Sequence, residues 1–386
     1  MTPTNKKLVF ISSMASPHQV KYCYALARYF DVEFWFYEHL TPERAKWWKI
    51  DLGDRCKTLP NVRWKRSARY ICQDLGKELE RFSPDIILLG GFSIPGNYQA
   101  YRWGKNHGKK VIVFTERSRT ERGILRKQSL IWRTLRFLYR DVDLVMVSAE
   151  DADSQFRSEF RFGDKVVPSW YAADITPYFR HAIRNRKKAY TLLFPNRLTE
   201  IYNPVLGLKI FREIERKHPG SRLMMNAAGE LLEDCRRLVS EWGMDGSVEF
   251  LTGIRSWDDL PGVYEKCDIM VLPALFSNGN FTILEAMASG MGIVISDRVL
   301  GLGKLIVDGV NGFNCKPEVG EFVERVERYF SQPSLFEKHA VINREKALPY
   351  TPEGTATHFH EVVCKRVLDS GNLAVNHKGR YFGKST

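Results

Sequence analysis

Two successive series of short apolar runs, separated by helical patterns, limit what this chain can fold into. In the first series, residues 8–12, 32–37, 86–89, 111–115 and 144–148 are almost continuously apolar, and residues 20–29 and 94–107 carry apolar positions at helical spacing. Unbroken apolar strands joined by helices imply a parallel sheet covered on both faces. The pattern then restarts. Residues 192–195, 222–227, 248–251, 269–272, 292–296 and 313–315 read as strands, with helices at 204–217, 231–242, 258–266 and 282–289 between them. The expected fold class is α/β, with two Rossmann-like doubly wound parallel-sheet domains whose strand C-terminal ends face a central cleft. A chain of 386 residues exceeds one ordinary core and suits two.

The expected division is a first domain at 1–170, a linker at 171–190, a second domain at 191–350, a C-terminal helix at 351–369 and a disordered tail at 370–386. The boundary region holds Pro168, Pro177 and a basic run at 184–188, with little strand or helix periodicity. The tail is polar and rich in Gly and Lys.

Fifty-eight basic against 45 acidic residues leave a net charge of +13. Such a surface attracts phosphorylated ligands, anionic lipid or nucleic acid, or serves solubility alone. No recognised nucleic-acid module or aromatic–basic sheet face stands out, so no nucleic-acid partner is expected. The charge is uneven: between 117 and 140, Arg117, Arg119, Arg122, Arg126, Lys127, Arg133, Arg136 and Arg140 face one acid, Glu121. Residues 123–139 read as a basic amphipathic helix, which either packs its apolar stripe on the sheet or lies on an anionic membrane. Packing is the expectation for the stripe, while the arginine excess suits an acceptor near a membrane. The seven cysteines are scattered without C-x-x-C spacing, which suits free thiols in a reducing compartment. No apolar run reaches the roughly 18 residues of a membrane span, and the polar start lacks a signal-peptide pattern. The expected location is cytoplasmic, including the inner face of a membrane.

The chemistry concentrates in residues 268–297. A strand ends at Pro273, a small polar loop follows at Ser277, Asn278, Gly279 and Asn280, and a helix starts near Phe281 and Thr282. Free N–H groups at a helix start favour an anion such as a diphosphate. Glu285, about one turn in, is placed to accept hydrogen bonds from a sugar diol. Spacing alone equally fits an ordinary strand–loop–helix unit with an acid complementing the helix dipole.

The run Ile283, Leu284, Glu285, Ala286, Met287, Ala288, Ser289, Gly290, with Asp308, Gly309, Val310, Asn311, Gly312 downstream, resembles the signature of glycosyltransferase family 4, whose fold is GT-B. Further pieces match in order. Asn196, Arg197 and Leu198 resemble the arginine motif; Ala228, Gly229 and Glu230 the glycine turn after the next strand; Gly253, Ile254 and Arg255 a third turn; Cys267, Asp268 and Ile269 the lead into the signature. The likeness is strong over 192–317 and holds for the first half only by pattern.

The resemblance implies a retaining, metal-independent hexosyltransferase using a UDP- or GDP-type nucleotide-sugar as co-substrate, without another cofactor. It also implies a C-terminal helix that packs back toward the first domain. Glu285 would hold the ribose; the loop and helix amides at Asn278, Gly279, Asn280, Phe281 and Thr282 the diphosphate; Arg197 would neutralise the leaving phosphate; Gly229, Ile254 and Arg255 would complete the donor side. Two positions depart from the family pattern. Ser277 stands where a glutamate touches the donor sugar, and Tyr202 where a lysine pairs with the diphosphate. A hydroxyl supplies no positive charge, so Arg255 or Arg117 is a candidate replacement. The acceptor belongs to the first domain, with His18, Gly91 and Arg117 as candidate contacts. Glu116 is a candidate polar or basic group at the reacting sugar, so Glu116, Arg197 and Ser277 are the candidate catalytic residues. The expected activity is transfer to a saccharide or lipid-linked saccharide in cell-surface polysaccharide or glycan biosynthesis. Two rivals are a catalytically silent nucleotide-sugar-binding partner or regulator and another GT-B enzyme such as an epimerase.

Overall fold

The structure, a computed structural model, describes residues 4–40, 50–63, 69–116, 126–148, 150–185, 188–277 and 280–369. The expected tail at 370–386 lies outside them, as do Arg117, Asn278 and Gly279.

In the first half, strands β1 (Lys7–Met14), β2 (Asp31–Glu38) and β3 (Cys56–Thr58) precede a small antiparallel pair, β4 (Val62–Arg63) and β5 (Ile71–Cys72). Then come β6 (Ile86–Gly90), β7 (Lys110–Glu116), β8 (Leu144–Ser148) and β9 (Val166–Ser169). Seven of these form a parallel sheet in the order β3-β2-β1-β6-β7-β8-β9. Helices α1 (Pro17–Leu26), α2 (Leu75–Phe82), α3 (Pro95–Asn106), α4 (Arg126–Leu138) and α5 (Glu150–Ser154) connect the strands. The second half begins at β10 (Thr191–Phe194) and continues through β11 (Arg222–Asn226), β12 (Val248–Leu251), β13 (Ile269–Leu272), β14 (Gly292–Ser296) and β15 (Phe313–Cys315). Its sheet is parallel in the order β12-β11-β10-β13-β14-β15. Helices α6 (Pro204–Lys217), α7 (Leu232–Glu241), α8 (Leu260–Lys266), α9 (Phe281–Ser289), α10 (Val319–Ser331), α11 (Ser334–Ala347) and α12 (Pro352–Val363) connect or follow these strands. The two doubly wound sheets are those expected from the two apolar series.

The boundary region differs from a plain linker. Residues 166–169 pair with β8 as the seventh strand, Pro168 facing Val147. An edge strand tolerates proline because its missing N–H faces no neighbour. Beyond it, Ala173, Ile175 and Tyr178 are buried with the core of the second sheet. Arg184, expected in the basic run of a linker, is buried. Its guanidinium donates to the carbonyls of Tyr264 (2.6 Å) and Cys267 (3.0 Å) at the end of α8, and to that of Ser289 at the end of α9. A cation there satisfies orphan carbonyls at helix C-termini.

Helix α12 crosses back. Ala356, Phe359 and Val363 are buried with Leu26, Phe30 and Val32 of the first half, and His360 stacks on Tyr29 at 4.5 Å. On α4 the apolar residues divide. Trp132, Leu135 and Leu138 pack on the first core as expected, but Leu130 and Phe137 are each 65% exposed and Ile131 is 57% exposed.

Candidate functional site

In each sheet the strand order reverses beside its first strand, between β1 and β6 and between β10 and β13. Ligand crevices of open α/β sheets form at such points, beyond the strand C-terminal ends. A cavity of about 980 Å³ lies where both points meet. Ser12, Ser13 and Met14 end β1, Gly90 ends β6 and Gly91 follows it; Pro195, Asn196 and Arg197 follow β10, and Asn280, Phe281 and Thr282 open α9.

The α9 start presents backbone amides of the kind that can hold an anion. Asn280 is its N-cap residue yet makes no capping bond; its side-chain oxygen instead accepts from Asn196 Nδ2 (3.2 Å) and Thr282 Oγ1 (2.5 Å). The backbone N–H groups of Phe281 and Thr282 therefore have no acceptor among the described residues, whereas that of Ile283 bonds to Asn280 O (3.0 Å). The buried Nδ2 of Asn280 is likewise without a partner among the described residues. Arg197 lines the same cavity, is exposed to it, and pairs with no described carboxylate. Tyr202, from the short 3₁₀ turn Glu200–Tyr202, is half-buried in the wall.

Gly229 does not line the cavity; it shapes the backbone beside Arg197. It has φ +135°, and a Cβ there would lie 2.3 Å from Leu198 O and 2.7 Å from Leu198 N. Leu198 bonds through its N–H to Ala228 O (2.7 Å) and through its O to Leu231 N–H (2.9 Å). Gly229→Ala is expected to destabilise the protein by about 1–3 kcal/mol, measured as a lower urea midpoint, because the added Cβ would displace the backbone of Leu198 beside Arg197.

Glu285 is 4% exposed and accepts a short hydrogen bond from Tyr264 Oη of α8. Burial pushes its carboxyl up to about 7; the Tyr264 bond opposes this and the charge of Asp174 adds to it. Tyr264 was not legible as a site residue, because only the packing of α8 against α9 brings it to Glu285.

On the first-domain side, Gly91 (φ +96°), Glu116 and His18 all line the cavity. Glu116 ends β7 at the rim. Surrounding protein holds its carboxyl above the usual carboxylate range, against a hydrogen bond from Tyr171 that lowers it. His18, expected on the acceptor side, instead touches the second domain: its ring lies 4.6 Å from that of Phe281 and 4.9 Å from that of Trp257.

Other expected residues are not brought to the wall. Ser277 is buried and off the cavity lining; it bridges to Val299, and its carbonyl accepts from Leu300 N–H (2.8 Å). Arg255 is exposed on the turn after β12, where its backbone N–H bonds Asp259 (2.8 Å); its neighbour Ile254 reaches the cavity. Arg255 is therefore not placed to replace a diphosphate lysine in this conformation. Asn311 of the downstream turn is buried, bonded to Leu305 O and Asn343, and serves packing.

The family match falls on the second domain, while the structural likeness extends over both. Residues 177–347 match the family described as Glycosyl transferases group 1. The match spans β10–β15 and leaves the first sheet outside. Alpha-D-kanosaminyltransferase of Streptomyces kanamyceticus is 25% identical over 296 residues, 75% of this chain and 66% of that one. An uncharacterized glycosyltransferase of Haemophilus influenzae is 28% identical over 130 residues, 33% of this chain and 36% of that one. The chain thus spans about a third and just under two thirds of these relatives. Anabaena Alr3699/HepE, solved with UDP and glucose, superposes with a TM-score of 0.69 over 93% of this chain and 99% of that one at 12% identity. The fold is therefore GT-B, and the group 1 match covers the half that carries the α9 cradle.

Proposed function

We propose that this chain is a retaining glycosyltransferase of the family 4 kind. It moves a hexose-type sugar from a UDP- or GDP-sugar to a saccharide or lipid-linked saccharide, in cell-surface polysaccharide or glycan biosynthesis. The observation that carries the proposal is the α9 cradle, where the amides of Phe281 and Thr282, without an acceptor among the described residues, share one cavity with Arg197 and the buried Glu285. Amides at a helix start and a guanidinium fit a diphosphate, and a buried carboxylate fits a ribose diol. The group 1 match over the same residues supports a transferase, and a neighbour that holds UDP and glucose supports the ligand class.

In this mechanism the diphosphate rests on the α9 amides, while Arg197 stabilises the charge that grows on it as the sugar departs. Glu285 fixes the nucleoside, and the acceptor enters over Gly91 and Glu116. The same face then takes the acceptor as loses the leaving group, without an obligatory metal. Closure of the domains excludes the water that would hydrolyse the donor.

The test is incubation with a panel of nucleotide-sugars, with and without saccharide acceptors, read as release of nucleoside diphosphate. Acceptor-dependent release is expected. Ser277 off the cavity lining and Tyr202 without a charge favour the rival of a silent nucleotide-sugar-binding protein. Tight binding without turnover across the panel would establish that rival.

We place the protein in the cytoplasm, at an anionic membrane face. No described helix is long and apolar enough to cross a membrane. On α4, Leu130 and Phe137, seven residues apart, share an outward side with the exposed Arg133, and Arg140 lies over the Phe137 ring at 5.4 Å. An apolar ridge flanked by arginines suits a lipid interface. Sedimentation with anionic vesicles is expected to be salt-sensitive and to be lost in Leu130→Ser/Phe137→Ser; absence of binding at low salt would remove this placement.

A further inference from the structure

His18 is held on three sides at the junction of the domains. It is the second residue of α1, and its Nδ1 accepts the backbone N–H of Asp174 at 2.8 Å. The ring stands edge-on to Trp257 (4.9 Å, 90°) and tilts against Phe281 (4.6 Å, 51°). Burial lowers its pKa to about 4, so the ring is neutral near pH 7. A neutral imidazole that accepts at Nδ1 carries its proton on Nε2. No described residue accepts that N–H, and His18 lines the cavity. The second domain's own anion cradle begins at Phe281, the ring against which His18 rests.

We propose that His18 is a donor-binding residue of the first domain, whose Nε2–H hydrogen-bonds the diphosphate of the bound nucleotide-sugar. The proposal rests on the glycosyltransferase reading above. It gives the diphosphate contacts from both domains at once: the α9 amides and Arg197 on one side, His18 on the other. A neutral N–H donor also suits this position, since a charged ring would bear the cost of burial whenever the site is empty. The fixed tautomer and the clamped plane leave the N–H pre-set, so little ordering is lost on binding.

The test compares binding of UDP and GDP with binding of uridine and guanosine by calorimetry, in the full chain. His18→Phe keeps a ring between Trp257 and Phe281 and removes the N–H. It is expected to weaken the diphosphate that binds the unaltered protein by about 10- to 100-fold while leaving the nucleoside unchanged. His18→Gln, which offers both an acceptor for Asp174 and an N–H, is expected to recover most of the loss. Should His18→Phe fail to fold, His18→Asn, too short to reach the diphosphate, is expected to show the same selective loss. Equal loss for diphosphate and nucleoside, or no loss for either, overturns the assignment. An unaltered protein that binds neither diphosphate overturns the glycosyltransferase reading itself, and the role of His18 with it.

Discussion

Arg197→Ala is expected to lower kcat by about 10²- to 10³-fold, with a smaller change in the donor KM. The residue follows β10, lines the cavity, and has no carboxylate partner among the described residues, so its charge is available to a ligand. Charge on the diphosphate grows as the glycosidic bond breaks, so a guanidinium there acts mainly in the transition state. Arg197→Lys keeps the charge but loses the planar fork, and should fall between the alanine variant and the unaltered enzyme. Arg255→Ala serves as the control: its side chain is off the wall, and turnover should stay within about threefold of the unaltered enzyme, the small effect usual for a surface site. A kcat for Arg197→Ala that matches this control would remove Arg197 from the mechanism.

Glu285→Gln is expected to act in opposite directions on binding and on stability. Burial raises the Glu285 carboxyl to about 7, so the protein must ionise it in a dry site before it can accept two ribose hydroxyls. Affinity for nucleoside diphosphate should therefore rise with pH through about 7 in the unaltered protein. In Glu285→Gln that dependence should disappear, and at pH 8 binding should be weaker by about 100-fold, the scale of two charge-assisted hydrogen bonds. For stability the sign is reversed. The folded-state pKa lies above the unfolded one, near 4.3 for glutamate, so the folded protein holds the proton more tightly. That stabilisation is complete below the unfolded value and is lost as pH rises through about 7. At pH 8 the empty site thus bears the cost of a buried carboxylate, and glutamine relieves about 3 kcal/mol of it. Thermal unfolding at pH 8 without ligand should shift upward in the variant, and the shift should vanish near pH 4. Tyr264→Phe removes a bond to the charged form, so the binding curve should move to higher pH. A pH-independent affinity in the unaltered protein would refute the assigned role of Glu285.

The two sheets were legible because buried parallel strands are nearly uninterrupted apolar runs, and β8, β12, β13, β14 and β15 lie at the expected residues. The edge strand β9 was hidden by Pro168, which in isolation signals a break. That Arg197, the α9 start and Glu285 share one cavity was legible because they lie on short motifs at the ends of neighbouring strands. The remainder depends on contacts between distant segments. Tyr264 meets Glu285 only through the packing of α8 on α9, and His18 meets Phe281 only because the two domains approach each other. Nothing in the local sequence at Ser277 shows that its loop turns that residue inward toward Val299. Gly229, expected on the donor side, lies off the cavity lining and instead accommodates the backbone of Leu198 pressed against it.

The return of α12 has a consequence for how the molecule is made. The outer face of α1 and the end of β1–β2 in the first domain are covered by Phe359, Val363 and Val367, which are synthesised only after the whole second domain. On the ribosome, the first sheet can form early but keeps an apolar face open until those residues emerge. Assembly in order of synthesis therefore stops short of a finished first domain, and the nascent chain passes through a stage suited to chaperone holding. A chain shortened before α12 would remain at that stage, so α12 acts as the fastener of the first domain to be translated.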